Sequence, residues 1–153
     1  MHGSLRDYNP TMKIIVAADG SKYSIEAVRF LTGPRGWLRE QPQLELLYVH
    51  PPLPKLSGLG SVVGKKQLEQ YYQEEGAEAL AAAKQLLDAA KVPYHAHILV
   101  GPPAETIVGY AKKSKADLLV IGHRGISAAA SVVIGSVAAK LLQLSPIPVL
   151  LVK

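Results

Sequence analysis

No cysteine occurs among the 153 residues of this chain. That excludes disulfides, thiol nucleophiles and thiolate metal sites, and it fits the cytoplasm. No apolar run approaches the roughly 20 residues that a membrane helix requires, and the first ten residues lack the apolar stretch of a secretory signal. A cytoplasmic protein without a membrane partner is therefore expected. No Gly-x-Ser-x-Gly elbow is present to expose a nucleophilic serine, and no paired carboxylates stand beside a candidate nucleophile. Enzyme chemistry has little support, with no catalytic residue to name. Lysine and arginine are spread along the chain without the aromatic interleaving that marks a nucleic-acid groove. The formal charge of +5 is mild and is equally compatible with an anionic small ligand.

What is present is the composition of a globular domain, 48% hydrophobic and 19% charged, in a chain long enough for one proper core. The segment from Met1 to Thr11 is polar, aperiodic and interrupted by Pro10. It is expected to be a disordered extension or a remnant ahead of a domain spanning residues 12–153.

Strands and helices alternate along that domain. Lys13 to Ala18 is a short, nearly continuous apolar run that predicts a central strand, closed by the turn Asp19-Gly20-Ser21. A helix follows from about Ser21 to Thr32, with Ile25, Ala27, Val28 and Leu31 on its apolar face. Leu44 to Val49 predicts a second strand. The stretch from His50 to Lys65 is rich in proline, glycine and serine and is expected to act as a mobile lid. A long helix is predicted from about Gln67 to Ala90, its face formed by Leu68, Tyr72, Ala79, Ala83, Leu86 and Ala90, with Gly76 as a soft point. Tyr94 to Val100 is a third strand. Gly101-Pro102-Pro103 opens a helix that runs to about Ser114, where Lys112, Lys113 and Lys115 suit the negative end of the helix dipole. Asp117 to Ile121 and Ile147 to Val152 complete five strands. This alternation implies a parallel sheet with helices on both faces.

The fourth strand runs into Gly122-His123-Arg124-Gly125, and nine residues later Gly135-Ser136-Val137 opens a helix. A helix start leaves backbone N–H groups without partners and carries partial positive charge, so it attracts anions. Glycines let a phosphate approach the backbone. Ligands of such sheets bind beyond the carboxyl ends of the strands where strand order reverses. That would bring the Asp19 turn and the Gly122 turn to one crevice if strands one and four are neighbours. Asp19 and Ser136 each have a second reading, as side chains that cap the helices they precede.

These segments resemble the universal stress protein family. Its Gly-x2-Gly-x9-Gly-Ser/Thr pattern stands here as Gly122, Gly125, Gly135 and Ser136. The opening run from Ile14 to Ser21 and the closing run from Pro146 to Val152 are similar to the family's first strand and turn and to its last strand. The resemblance covers Met12 to Lys153. It implies a single-domain three-layer α/β sandwich with strand order 3-2-1-4-5, of the adenine nucleotide alpha hydrolase type. It implies the branch that binds ATP, with ADP or AMP as alternatives and magnesium as the accompanying ion. Ala17 and Val49 match positions of the adenine pocket, and Asp19 an acidic position by the adenine and ribose. Ile121 and Gly122 match positions beside the ribose and phosphates. Gly125, Gly135, Ser136 and Val137 match the phosphate cradle. It also implies a homodimer through strand five, Ile147 to Val152, and a regulatory role in stress response. A nucleotide-free dimeric interaction protein and a slow ATPase are the alternative functions. The nine-residue spacer from Ile126 to Ile134 departs from many relatives in having no lysine or arginine, which leaves His123 and Arg124 as the nearby sources of positive charge.

Three other features carry less. Gly58 to Lys66 has the look of a Walker loop but the wrong spacing, no serine or threonine after the lysine and no preceding strand, so it is expected to be a flexible loop. His95 and His97 share a strand face without an evident third metal ligand, which favours a solvated or helix-covered face. Tyr71 and Tyr72 are expected to be core and rim residues of the long helix. The Ser-Gly-Gly loop of related pyrophosphatases has no counterpart at Asp19-Gly20-Ser21-Lys22.

Overall fold

The computed structural model describes residues 11–34, 40–54, 64–126, 128–131 and 133–153. In chain order the elements are β1 (Lys13–Ala17), α1 (Lys22–Thr32), β2 (Gln43–His50), α2 (Lys65–Ala89), β3 (Tyr94–Val100), α3 (Pro103–Ser114), β4 (Leu118–Gly122), α4 (Ser136–Leu144) and β5 (Val149–Val152). All neighbouring strands pair in parallel, in the order β3-β2-β1-β4-β5. This is the expected five-stranded three-layer sandwich. The expected extension at residues 1–10 lies outside the described residues, as do residues 55–63 of the expected lid and Walker-like stretch.

Each element follows from its residues. Ile14, Ile15 and Val16 are fully buried because β1 is central and both its faces are covered, so its sequence shows no alternation. Side chains still alternate between two cores. Ile15, Leu47, Leu119 and Leu141 pack with Ile107 and Ala111 on the α3 and α4 side. Ile14, Val16, Leu46 and Val120 pack with Val28, Leu80 and Leu87 on the α1 and α2 side. The Ser21 hydroxyl accepts the Ser24 N–H at 3.2 Å and caps α1. Lys115, in a left-handed conformation with φ of 54°, closes α3.

Several boundaries move from their expected places. Lys65 and Lys66 belong to α2, whose cap is Gly64, so the end of the Walker-like stretch is helical. The buried stripe of α2 is Gly76, Leu80, Ala83 and Leu87; of the expected face Ala83 lies in it, Leu68, Tyr72, Ala79 and Leu86 are partly buried, and Ala90 is exposed. A side chain added at Gly76 would meet Ile98 at 2.6 Å. The helix therefore seats on its glycine, which makes Gly76 a tight contact with β3 and not a soft point. Strand β5 begins at Val149, two residues later than expected. Ser145 explains the delay, since its hydroxyl donates to the Ile147 carbonyl at 2.7 Å and accepts the Ile147 N–H at 3.3 Å, holding Ile147 in a turn.

His95 and His97 do share a face, and both lean on Glu45 of β2. His97 Nε2 lies 2.6 Å from Glu45 Oε2, and His95 Nδ1 lies 3.7 Å from Oε1. The Tyr110 hydroxyl of α3 donates to Glu45 Oε2 at 3.2 Å and lies 2.9 Å from His97 Nε2. Among the described residues no group of three or more His, Asp or Glu side chains is arranged to hold a metal ion. Burial first, and then the Glu45 charge and its hydrogen bond, push Tyr110 from 10.0 up to about 12. The folded state thus holds the neutral phenol more firmly than the unfolded chain does. Its stabilising contribution is complete below pH 10 and is lost as pH rises toward 12. A tyrosinate absorbance titration is expected to show a last step near pH 12, which Tyr110→Phe removes. Persistence of that step in the variant would place it on another tyrosine.

Candidate functional site

Strand β1 lies between β2 and β4, and the chain leaves its two sides in opposite directions. Ala17 pairs with Ile121 across the β1–β4 boundary. Beyond the carboxyl ends of these strands opens a cavity of about 950 Å³, within the size range of small-molecule sites. Ala17, Asp19, Val49, Ile121 and Gly122 line it from the strand ends. Arg124, Gly125, Gly135, Ser136 and Val137 line it from the glycine segment and the start of α4. Two distant parts of the sequence therefore converge at the switch point.

Of the residues singled out from the sequence, His123 lies outside this lining. Its backbone N–H donates to the Val152 carbonyl at 2.9 Å, its Nδ1 lies 3.2 Å from the same oxygen, and its ring meets Tyr23 edge-on at 5.0 Å. It ties the loop to β5 and to α1.

Asp19 is a clasp. Oδ1 accepts the Ser21 N–H at 2.9 Å, and Oδ2 accepts the Ile126 N–H at 2.9 Å. The first bond closes the β1–α1 turn and the second fastens that turn to the glycine segment. The capping of α1 belongs to Ser21, not to Asp19. Likewise Gly135, not Ser136, is the N-cap of α4, and no side chain caps that helix. Ser136 is its first helical residue and is exposed, so its hydroxyl is not engaged in capping. A helix start without a side-chain cap, opening on a cavity, fits an anionic group.

The glycines have separate roles. A side chain at Gly122 would strike the backbone of Tyr23 at 2.6 Å and of Ser24 at 3.0 Å. One at Gly135 would crowd Arg124 Cα at 3.2 Å and Gly125 N at 3.3 Å. One at Gly125 would meet only Asp19 Oδ2, at 2.9 Å. In the β1–α1 turn, Gly20 has φ of +84°, a conformation that side chains disfavour, and it passes the backbone of Ala79.

Arg124 is the one lysine or arginine found among the described lining residues. Its Nη1 donates to the Tyr23 hydroxyl at 3.4 Å and its guanidinium lies 5.7 Å from the centre of that ring. The Arg124 hydrogen bond is the main reason the Tyr23 hydroxyl titrates below its ordinary value. Arg124 Nε is buried and has no hydrogen-bond partner.

Sequence reasoning did not find the contribution of α2. Glu75, Glu78 and Ala79 line the cavity, together with Tyr48 of β2. Burial, then the charge of Glu75, then Tyr71 and Asp19, push the Tyr48 hydroxyl above its ordinary value. The signal for Ala79 was present at Gly20, whose missing side chain admits the helix backbone. Nothing in the pattern of α2 marks Glu75 or Glu78 as different from its other exposed acids.

Comparison with known proteins agrees with the fold. Residues 10–153 match the model of the universal stress protein family. A universal stress protein of Methanocaldococcus jannaschii is 33% identical over 142 residues, covering 92% of this chain and 81% of that protein. Universal stress protein YxiE of Bacillus subtilis is 30% identical over 149 residues, covering 92% of this chain and 98% of that protein. Among solved structures, universal stress protein UspA from Lactobacillus plantarum superposes with a TM-score of 0.74 at 26% identity, covering 93% and 97% of the two chains. A universal stress protein in complex with cAMP superposes with a TM-score of 0.62 at 26% identity, covering 93% and 96%. On the family match and these relatives, the chain belongs to the universal stress protein family.

Proposed function

We propose that this protein binds an adenine nucleotide at the β1–β4 switch point and acts as a cytoplasmic regulatory module of the stress response. Occupancy of the site would alter the surface of a homodimer. The observation that carries this reading is convergence: ten residues chosen from three separate stretches of sequence line one cavity. Support also comes from the cAMP complex of a similar protein. Ala17 and Val49 would hold the base, Asp19 and Ile121 the ribose side, and Gly125, Ser136 and Val137 the phosphate. ATP, ADP and AMP, with or without magnesium, are the candidate forms.

A nucleotide bound only by the folded state stabilises it. At about a hundred times its Kd the gain is about 2.7 kcal/mol, or roughly 5–10 °C in Tm for a domain of this size. Heating the purified protein and separating the released small molecules by chromatography tests for a resident nucleotide. The proposal fails if no nucleotide is released and millimolar ATP, ADP and AMP all leave the melting curve unmoved.

A second reading has a specific observation in its favour. Gly122 and Gly135 meet backbone atoms of the protein itself, so packing alone accounts for them. A nucleotide-free dimeric interaction protein would need those two glycines equally. Gly125 separates the readings, because its neighbour is the tip of one side chain. Gly125→Val is expected to fold and to lose nucleotide binding, and normal affinity in that variant would favour the interaction protein.

A further inference from the structure

Among the described residues that line this cavity, negative charge outnumbers positive. Asp19, Glu75 and Glu78 line it, and Arg124 is the one lysine or arginine among its described lining residues. Part of the positive potential is already committed. The Ile126 N–H, next to Gly125, is bonded to Asp19 Oδ2, and the Arg124 guanidinium is shared with Tyr23. Arg124 Nε, buried and without a partner, is the donor it has left unspent. The spacer adds no charge to the lining, since it contributes Ile126, Ala128, Ala129 and Ile134.

From this balance, and resting on the adenine-nucleotide reading, we infer that the site selects a nucleotide with a single phosphate, AMP, over ATP. The open start of α4 and one guanidinium match the charge of one phosphate. Each further phosphate brings about one more negative charge, with no further lysine or arginine among the described lining residues to meet it. A cavity of about 950 Å³ is on the order of 10 Å across, close to the Debye length of about 8–10 Å at ordinary salt. The repulsion from Glu75 and Glu78 is therefore only partly screened within the site. The Tyr48 hydroxyl, raised first by burial, is raised further by the charge of Glu75 and, less, by Tyr71 and Asp19.

Calorimetric titration of the full chain with AMP, ADP and ATP, in chelator and again with magnesium, tests this. AMP is expected to bind at least about tenfold more tightly than ATP, with ADP between them, and higher salt should narrow the gap. ATP binding as tightly as AMP in chelator overturns the inference. So does ATP overtaking AMP when magnesium is added, because the carboxylates would then be serving a bound cation. If none of the three binds, the nucleotide reading itself falls and this inference with it.

The charge argument has its own control. Glu75 and Glu78 are exposed on α2, so Glu75→Gln with Glu78→Gln should leave the fold intact by circular dichroism. The double variant is expected to gain about fivefold or more in ATP affinity with a smaller change for AMP. An unchanged ratio of the two affinities would overturn the inference.

Discussion

Gly122→Ala is expected to lower the melting temperature by roughly 10 °C or to prevent folding, whereas Gly125→Ala should shift it by less than about 4 °C. The two glycines stand three residues apart in one motif, yet their surroundings differ. The added methyl at Gly122 would sit 2.6 Å from the carbonyl carbon and oxygen of Tyr23. Those atoms belong to the first turn of α1, which cannot yield like the end of a side chain. The Ser21 cap fixes that turn from one side, and buried Ala27 and Val28 fix the helix against the sheet. Gly122 is also the last residue of β4 and pairs with Val152, so the strand cannot retreat without breaking its ladder. Overpacking in such a place costs about 1–3 kcal/mol and sometimes more, out of a total of about 5–15 kcal/mol. At Gly125 the same methyl meets one carboxylate oxygen of Asp19 at 2.9 Å, and a small rotation of that side chain relieves the contact. Thermal melts of the two variants followed by circular dichroism decide the matter. Equal melting temperatures would mean that α1 and β4 adjust freely, and the packing account of Gly122 would be wrong.

The same contrast shows what the sequence could and could not disclose. Periodicity, turn residues and the even spacing of apolar runs were enough for the five strands and four helices, because burial on one or both faces of each element writes directly into residue type. The convergence of the Asp19 and Gly122 turns was legible because strand order in a parallel sheet follows few rules, and β1 does pair with β4. What a given glycine touches was not legible. Gly76, Gly122 and Gly135 all read as permissive positions in the sequence, and all three are close contacts with other parts of the chain. Which residues cap the helices was not legible either. Asp19 and Ser136 are residue types that suit caps, but Ser21 and Gly135 take those positions, and the choice depends on where each helix axis meets the turn. Glu75 and Glu78 were invisible as site residues because the packing of α2 on Gly20 and Ile98, and nothing local to the helix, turns them toward the switch point.

Strand β5 carries the second large expected effect. The protein is expected to sediment as a dimer at tens of micromolar, near twice its mass of 16.4 kDa, and Leu151→Asp should abolish that dimer. Among the described residues β5 ends the strand order with β4 as its one neighbour, so its other edge offers unpaired backbone donors and acceptors. All four of its residues, Val149 to Val152, are apolar and remain partly exposed. Leu142 and Leu144 of the preceding helix are also exposed, at 48% and 44%. A second copy related by a two-fold axis would cover both edges with the same residues. Leu151 also packs on the α3 and α4 core, so a carboxylate there has a cost within the protomer as well. Leu142→Glu avoids that ambiguity, because the side chain is exposed and an acidic residue there leaves both cores untouched. It is expected to weaken the dimer while the melting temperature of the dilute protein holds. Sedimentation velocity of the unmodified protein is the decisive measurement. A monomer at tens of micromolar would show that β5 is protected in some other way, and the dimer would have to be abandoned.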